Sequence, residues 1–357
     1  MKLLDRFQVS APTRVDLAGG TLDLWPLYCL TGGAVTVNVA IDLKATVQCE
    51  VFENEVLKVE LEGAGAKALF YEPVFGEALS KLPGVLRFPS FLISQYLSQQ
   101  TSLPKKHIRF RIQTKAPQGS GLGGSSTLCV AIARALARIC NQFHDQGWQW
   151  KLLDWVKDAE ARFLKVPTGT QDYLAALFGS LHGYRYEVGG IQLESYAPSV
   201  FSQLSERTLV VFSGEQHQSG ISNFELFKKS IEGDAQILSG LNEIKFVADE
   251  VDAAFKQTEI NWAKVGNLLD QEWKVRKNVF QVNTPTLDSL ISRLHRSGVL
   301  GVKVCGAAQG GSILLLVEPS SQATLKQALE KEGINVLNAP LCKAGVTVSE
   351  ISHQDSD

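Results

Sequence analysis

Hydrophobic and polar positions alternate most clearly over residues 107–113, where apolar residues at 108, 110 and 112 are separated by arginines. This period of two predicts a half-buried strand. Over residues 128–139 the apolar positions change to helical spacing, and a second helix is predicted over about 150–164, stopping before Pro167. A stretch rich in glycine and serine lies between the strand and the first helix and interrupts both patterns.

The remaining elements fall into two groups. Residues 15–17 and 34–41 predict strands, and β-branched residues continue the extended pattern over 41–59. A change of composition near 189–205 marks the best boundary between two domains. Beyond it the pattern predicts strands at 209–212, 301–305, 312–317, 334–337 and 345–348, and helices at 223–231, 237–255, 286–296 and 321–332.

The order of these last elements is similar to a split βαβ layer, with helices on one face of an antiparallel sheet. No internal repeat interrupts this order. The sequence therefore predicts an α+β protein with one domain at 1–195, a second at 196–352 and a disordered polar tail at 353–357.

Composition narrows the setting of the protein. The 357 residues are enough for two domains and a large core, and the formal net charge of -2 gives no global reason to expect nucleic acid or an acidic membrane as partner. The six cysteines are scattered without a CxxC pair, which is typical of reduced thiols in a cytoplasmic protein. No apolar leader or membrane-spanning run is evident. We expect a cytoplasmic protein whose partner is a small molecule, and a homodimer is consistent with this expectation.

The glycine-rich stretch indicates an anion site. Glycines fold tightly and bring several N–H groups close together, and the helix that follows adds its free N-terminal N–H groups and the positive end of its dipole. Hydroxyls at the turn into the helix can ligate a metal ion or cap the helix. The residues expected to hold polyphosphate are Pro117, Gly119, Ser120, Gly121, Leu122, Gly123, Gly124, Ser125 and Ser126.

Two other phosphate-binding motifs match this stretch less well. Gly119, Gly121 and Gly124 satisfy GxGxxG, but the next helix leads into another helix instead of the second parallel strand of a dinucleotide-binding fold. A Walker A loop ends in GK[ST], and no lysine is present here. A structural loop of small residues is the remaining alternative.

Three separated segments together resemble the GHMP kinase superfamily. They are Ala-Pro-Thr-Arg-Val-Asp-Leu-Ala-Gly-Gly-Thr-Leu-Asp at 11–23, Pro-Gln-Gly-Ser-Gly-Leu-Gly-Gly-Ser-Ser at 117–126 and Val-Lys-Val-Cys-Gly-Ala-Ala-Gln-Gly-Gly at 302–311. Shorter segments at 167–172 and 175–180, and Trp273 with the basic residues after it, resemble the sugar kinases similar to D-glycero-D-manno-heptose 7-phosphate kinase and L-fucose kinase.

The resemblance implies the two-domain GHMP kinase fold, with an N-terminal α/β domain of the ribosomal-protein-S5-domain-2-like type and a ferredoxin-like C-terminal α+β domain. It implies an active site in the cleft between them, ATP and Mg²⁺ as cofactors, and phosphorylation of a sugar or sugar phosphate to a sugar 1-phosphate. Within the superfamily the alternative is a mevalonate-type kinase. Outside it, a catalytically silent ligand sensor on the same fold stays open.

By the same resemblance, Ser125 and Glu160 are the Mg²⁺ ligands, a hydroxyl and a carboxylate that suit a hard cation. Without it, Ser125 would be interpreted as a helix N-cap and Glu160 as part of a solvated helix face. Asp172, twelve positions after Glu160, is implied as the catalytic carboxylate, which either accepts the proton of the sugar hydroxyl or only orients it. Arg14 is expected either to stabilise transferred charge or to form a structural ion pair, for which Asp16 is the candidate partner.

The resemblance also implies a set of substrate-binding residues, which are Gly19, Gly20, Asp23, Gly306, Gln309 and Gly310. Asp23 alone would be interpreted as a loop-capping residue. The chain departs from the family pattern at Gly124, Ala308 and Gln309, and Thr21-Leu22 replaces a Gly-Thr pair, which is expected to put an apolar side chain beside Asp23. Candidates for a substrate phosphate are Lys274, Arg276 and Lys277, and candidates for stacking on a sugar are Trp25 and Tyr28.

Overall fold

The fold is that of a computed structural model, which describes residues 1–214, 221–280, 283–306 and 311–351. Its strands, in chain order, are β1 (Leu3–Ala18), β2 (Ala34–Glu53), β3 (Lys58–Gly63), β4 (Ala66–Phe70), β5 (Lys106–Thr114), β6 (Leu181–Glu187), β7 (Gly190–Ser195), β8 (Thr208–Phe212), β9 (Gly301–Val304), β10 (Ser312–Leu316), β11 (Asn335–Val336) and β12 (Thr347–Glu350).

The helices alternate with these strands along the chain. They are α1 (Leu27–Leu30), α2 (Gly76–Ser80), α3 (Gly84–Ser98), α4 (Gly124–Ile139), α5 (Trp148–Leu164), α6 (Gln171–Phe178), α7 (Pro198–Ser205), α8 (Ile221–Ile231), α9 (Ala235–Phe255), α10 (Trp262–Asn278), α11 (Pro285–Arg296) and α12 (Pro319–Lys331).

The first sheet is built around two long strands. Its order is β12-β1-β2-β5-β3-β4, with β6 paired to β2 and β7 to β6. Residues 45–53 of β2 pair with β5, whereas residues 34–39 pair with β6. The extended pattern predicted over 41–59 is therefore two strands, because β2 ends at Glu53 and β3 begins at Lys58. The half-buried strand predicted at 107–113 is β5, with Ile108 and Phe110 buried.

Helices α3, α4 and α5 cover the first sheet and share one core with it, in which Phe7, Cys49 and Phe110 meet Ala131 and Val156. Helices α4 and α5 agree with the predicted ones to within a few residues. Helix α3 was not predicted, since Pro89 stands inside it and interrupts the expected pattern.

The second sheet has the order β11-β8-β10-β9, and all its pairs are antiparallel. Counted along this half of the chain, the strands lie in the order fourth, first, third and second, which is the ferredoxin-like arrangement. Helices α11 and α12 pack on one face of the sheet around Val211 and Leu315. The other face joins a core shared with the first sheet, through Val210, Leu314, Val15 and Val37. The predicted α+β class is confirmed.

The end of the described chain returns to the first sheet. Strand β12 pairs with β1 over Phe7–Ser10, and Leu341 forms a bridge with Ile41. The predicted second domain extended to residue 352 and assigned the strand at 345–348 to the C-terminal sheet, and that assignment is wrong. A four-residue strand carries too little pattern to indicate which sheet it joins. Of the helices within the described ranges, none is long and apolar enough to cross a membrane.

Candidate active site

Residues from all three sequence motifs line one cleft of about 660 Å³. Its polar lining comes from the first motif, the glycine-rich loop, α5 and the start of α6 with the segment before it. Its apolar lining was not predicted, because it depends on α3 and on side chains from several elements. The polar group includes Arg14, Thr21, Asp23, Glu160, Thr168, Gln171 and Asp172, and the apolar group includes Val85, Phe88, Pro89, Ile112, Leu128 and Leu164.

The glycine-rich loop needs glycine where it meets other parts of the site. Gly121 and Gly123 have φ values of 71° and 77°, a region that side chains rarely adopt. A Cβ on Gly121 would lie 2.6 Å from the carbonyl oxygen of Cys305, and one on Gly123 would lie 2.9 Å from the Asp172 carboxyl group. Gly124 has room for a Cβ, so its departure from the family pattern has no steric cause. The loop is therefore fixed between Asp172 and the third motif.

The third motif and Ser312, the residue after it, support the loop from the second sheet. The N–H of Ser312 donates to the carbonyl oxygen of Ser120 at 2.7 Å, and a Cβ on Gly306 would lie 2.9 Å from the Cα of Gly121. Gly306 lines the cleft as well. Ala308, Gln309 and Gly310 lie outside the described residues.

Every residue of the predicted phosphate-binding set lines the cleft except Leu122. The Leu122 side chain is fully buried in the core shared by the two sheets. The backbone carbonyl oxygen of Leu122 accepts a hydrogen bond from the backbone N–H of Arg14. Leu122 therefore anchors the loop, whereas its neighbours face the cleft.

Arg14 connects the loop to Asp172. Its Nε and Nη2 lie 2.8 and 2.5 Å from Asp172 Oδ1, and its Nη1 donates to the Gly121 carbonyl oxygen at 2.7 Å. Burial lowers the pKa of Arg14, but the charges of Asp172 and Asp16 outweigh this and leave the pKa raised. Asp16 itself pairs with Lys303 at 2.9 Å, so the ion pair suggested between Arg14 and Asp16 does not form.

Glu160 is buried on α5 and accepts hydrogen bonds from three hydroxyls. Ser125 donates to its Oε1 at 2.7 Å, while Ser126 and Tyr173 donate to its Oε2 at 2.8 and 2.6 Å. Burial raises the pKa of Glu160, and the three hydroxyls partly oppose this. Ser125 is not the N-cap of α4, because Gly123 occupies that position. Glu160 does not lie on a solvated helix face, because it is buried. Tyr173 was missed, since an aromatic residue after Asp172 gives no sequence signal of a partner on α5.

Asp23 is buried at the cleft wall. The N–H of Thr21 donates to its Oδ1 at 3.1 Å, and that of Gln171 donates to its Oδ2 at 3.0 Å. Burial raises its pKa to about 6. The Gln171 N–H opposes the rise, and the neighbouring charges of Asp172 and Asp16 add to it. This carboxyl group therefore changes charge close to neutral pH.

Gly19 and Gly20 support the wall from behind, whereas the resemblance implied that they bind substrate. A Cβ on Gly19 would lie 2.1 Å from the carbonyl oxygen of Val35, and one on Gly20 would lie 2.2 Å from Asp16 Oδ2. Neither lines the cleft, but the next residue, Thr21, does. The Leu22 side chain packs in a core with Leu27 and Leu241. The expectation that it lies beside Asp23 in the cleft is therefore wrong.

The cations proposed for a substrate phosphate lie outside the cleft lining. Arg276 is buried and pairs with Glu272 at 2.8 Å, and Lys277 pairs with Asp288 at 2.9 Å. Lys274 is exposed. Of the two aromatic candidates, Trp25 is 67% exposed and Tyr28 packs against Tyr186, with ring centroids 5.5 Å apart.

Comparison with known proteins identifies the class. Residues 91–180 match the family described as GHMP kinases N terminal domain, and residues 253–335 match GHMP kinases C terminal. The chain belongs to the GHMP kinases, and it is a small-molecule kinase of that family. The family membership and the two-domain fold inferred from the motifs are both confirmed.

Individual relatives refine this class. The chain is 26% identical over 348 residues to the D-glycero-alpha-D-manno-heptose 7-phosphate kinase of Campylobacter jejuni, covering 95% of this chain and 97% of that one. It is 22% identical to the mevalonate kinase of Thermococcus sibiricus, covering 97% and 99% of the two chains. Its fold is similar to that of Lactococcus lactis galactokinase complexed with galactose, with a TM-score of 0.75, 17% identity and coverage of 97% and 95%.

Proposed function

We propose that the protein transfers the γ-phosphoryl group of ATP to a hydroxyl group of a sugar or sugar phosphate, at the anomeric carbon, and forms a sugar 1-phosphate. The observation that carries this proposal is the ion pair of Arg14 with Asp172. Arg14 also donates to the glycine-rich loop, and both residues line the cleft together with Asp23. Relatives named as a heptose 7-phosphate kinase and galactokinases support a sugar as acceptor. A mevalonate-type alcohol is the alternative.

The glycine-rich loop and α4 provide the nucleotide phosphate site. The loop brings backbone N–H groups to the cleft, and α4 begins at Gly124 and directs the positive end of its dipole toward the same space. The apolar lining from α3, Ile112 and Leu128 suits a nucleotide base. Phosphoryl transfer depends mainly on positioning and charge stabilisation, and a fixed loop supplies both.

Asp172 and Arg14 act at the acceptor. As the acceptor oxygen attacks the γ-phosphorus and the bond to the leaving ADP oxygen breaks, the hydroxyl proton passes to the Asp172 carboxylate. Whether the proton moves early or late, the carboxylate orients the hydroxyl by accepting its hydrogen bond. Arg14 places positive charge beside the reacting groups and fixes Asp172 through two N–H groups.

Ser125 and Glu160 would hold Mg²⁺. The Ser125 hydroxyl donates a hydrogen bond to Glu160 Oε1, so the lone pairs of the Ser125 oxygen remain available to a metal ion. Among the described residues, Glu160 Oε1 accepts no other hydrogen bond. Those residues contain no group of three or more His, Cys, Asp or Glu side chains that could hold a metal. A hydroxyl and a carboxylate, completed by water and nucleotide oxygens, suit Mg²⁺, which supplies charge neutralisation at the phosphates.

Ser125 and Ser126 give a matched test of this metal site, because both donate to Glu160 but only Ser125 bonds to Oε1. Ser125→Ala is expected to raise the Mg²⁺ concentration for half-maximal velocity about tenfold, since a ligand is lost. Ser126→Ala is expected to have a smaller effect, because Tyr173 still donates to Glu160 Oε2 in that variant. Initial velocities in Mg²⁺ titrations at saturating ATP measure both. Equal effects of the two substitutions would contradict the assignment of Ser125.

The raised pKa of Asp23 predicts a pH dependence. With a pKa of about 6, Asp23 is a carboxylate at pH 7 and becomes protonated as the pH falls, losing charge and acceptor capacity for a sugar hydroxyl. We expect kcat/KM for the acceptor to be about tenfold lower at pH 5 than its plateau value, while the KM for ATP changes little. Asp23→Asn should remove this dependence and lower the plateau. A dependence unchanged in Asp23→Asn would assign it to another group.

The charge of the lining favours an uncharged sugar over a sugar phosphate. Among the described lining residues the charged ones are Arg14, Asp23, Glu160 and Asp172, and the guanidinium is already paired. The undescribed stretches of the sequence contain no lysine or arginine. A phosphate on the acceptor would approach carboxylates without a free lysine or arginine from this lining.

A screen of ADP release tests the proposed function. L-Fucose, free manno-heptose, heptose 7-phosphate, galactose and mevalonate are compared at equal concentrations. We expect turnover with at least one free sugar and a higher kcat/KM for free heptose than for its 7-phosphate. Turnover with mevalonate alone would support the alternative function, and no turnover with any acceptor would contradict the proposal.

A further inference from the structure

Thr21 has a backbone conformation that threonine rarely adopts. Its φ is 83°, in the left-handed region, although the side chain is β-branched. It stands where the family pattern has glycine, which would adopt this conformation without strain. A strained residue that lines the cleft is a candidate for a functional role.

Arg276 fixes this residue from behind. Its Nη1 donates to Thr21 Oγ1 at 3.2 Å and its Nη2 donates to the carbonyl oxygen of Gly20 at 2.6 Å. The Arg276 side chain is 2% exposed, so its position is set by protein contacts and not by solvent. The same guanidinium therefore contacts both the backbone of the turn and the hydroxyl of Thr21, a residue that lines the cleft.

A buried ion network connects Arg276 to both sheets. Glu272 Oε1 accepts from Arg276 Nε at 3.0 Å and lies 3.2 Å from Lys303 Nζ, and Glu272 Oε2 accepts from the Gly19 N–H at 3.1 Å. Lys303, on β9, reaches Asp16 on β1 at 2.9 Å. Two cations and two carboxylates, nearly free of solvent contact, balance one another. The position of Arg276 is thus tied to both sheets at the back of the cleft.

This arrangement leaves the Thr21 hydroxyl proton available. Arg276 can only donate, so it occupies an oxygen lone pair of Thr21 and directs the proton elsewhere. Among the described residues no acceptor takes that proton, and the Thr21 N–H already bonds to Asp23. Thr21 and Asp23, which both line the cleft, therefore carry an unused donor and an acceptor two positions apart in the chain.

We propose that Thr21 is a specificity-determining residue that donates a hydrogen bond from its hydroxyl to an oxygen of the acceptor, and that Arg276 is its positioning residue. The proposal rests on the proposed function, since it assigns a partner within the same acceptor site. The acceptor class it fits is a polyol such as a sugar, with one hydroxyl on Asp23 and a neighbouring oxygen on Thr21. A sugar has such adjacent oxygens at several positions.

Three substitutions of Thr21 separate the hydroxyl from the strain. Thr21→Val keeps the shape and is expected to lower kcat/KM for the best acceptor about tenfold, with the KM for ATP within twofold of wild type. Thr21→Ser, which keeps the hydroxyl, should stay within about threefold of wild type. Thr21→Gly should lower kcat/KM as Thr21→Val does and raise the melting temperature, because glycine relieves the strain.

Wild-type kcat/KM in Thr21→Val, or an equal loss in Thr21→Ser and Thr21→Val, would overturn the proposal. A wild-type enzyme that turns over no acceptor would instead contradict the proposed function, before any variant is compared.

A double-mutant cycle tests the positioning role of Arg276. Arg276→Lys should lower kcat/KM for the acceptor in the wild-type background and have less effect in Thr21→Val. Additive effects would show that Arg276 does not act through Thr21.

Discussion

Replacing Asp172 by asparagine is expected to lower kcat by about 10²- to 10⁴-fold while nucleotide binding is kept. Asparagine matches the shape of aspartate but has no negative charge to accept the acceptor proton or to orient its hydroxyl. Asp172 lies in the first turn of α6, and its side chain is 24% exposed, so the substitution should not unfold the protein. Steady-state ADP release measures kcat, and protection by ATP against thermal unfolding measures nucleotide binding.

The control for this substitution is Asp158→Asn, which removes an exposed carboxylate paired with Lys157 on α5. It should leave kcat within twofold of wild type, because the pair is solvated and outside the cleft lining. If Asp172→Asn retained kcat within about threefold, the carboxylate would have no catalytic role. That result would contradict the role proposed for Asp172 and would require a mechanism in which the acceptor hydroxyl is oriented by other groups.

Local patterns predicted much of the fold because they depend on neighbours in sequence. The period of two at 107–113 and the helical period at 128–139 each report one buried face, and β5 and α4 have those faces. The loop between them was identified by its glycines, and those at 121 and 123 are required by close contacts to Cys305 and Asp172. Side-chain chemistry in sequence therefore located the centre of the site.

Contacts between distant residues could not be predicted in the same way. The bond from Tyr173 to Glu160 and the pair of Asp16 with Lys303 depend on how α5, α6 and the two sheets pack. Sequence alone also could not separate Gly19 and Gly20, which support the turn, from Thr21, which reaches the cleft. The resemblance implies that both glycines of the first motif contact substrate, but in the structure they are required because neighbouring atoms leave no room for a side chain.

Replacing Arg14 by methionine is expected to lower kcat about 100-fold or more and to lower the melting temperature. Methionine keeps much of the length of the side chain but removes both N–H contacts to Asp172 and the donor to the Gly121 carbonyl oxygen. Loss of a preorganised charge at a reacting site typically costs 10²- to 10³-fold in kcat. The carboxylate and carbonyl left without a partner should lower the free energy of unfolding by about 1–3 kcal/mol.

Arg14→Lys and Arg109→Met are the matched comparisons. Lysine keeps the charge but has one ammonium group in place of a planar fork, so it should recover stability better than kcat, because it cannot fix Asp172 and Gly121 together. Arg109 lies on β5 outside the cleft lining and pairs with Glu60, and Arg109→Met should leave kcat unchanged. A normal kcat with a lowered melting temperature in Arg14→Met would make the pair purely structural. If Arg14→Met lowers kcat under conditions where the variant is still folded, unfolding cannot explain the loss, and Arg14 acts at the reacting phosphate.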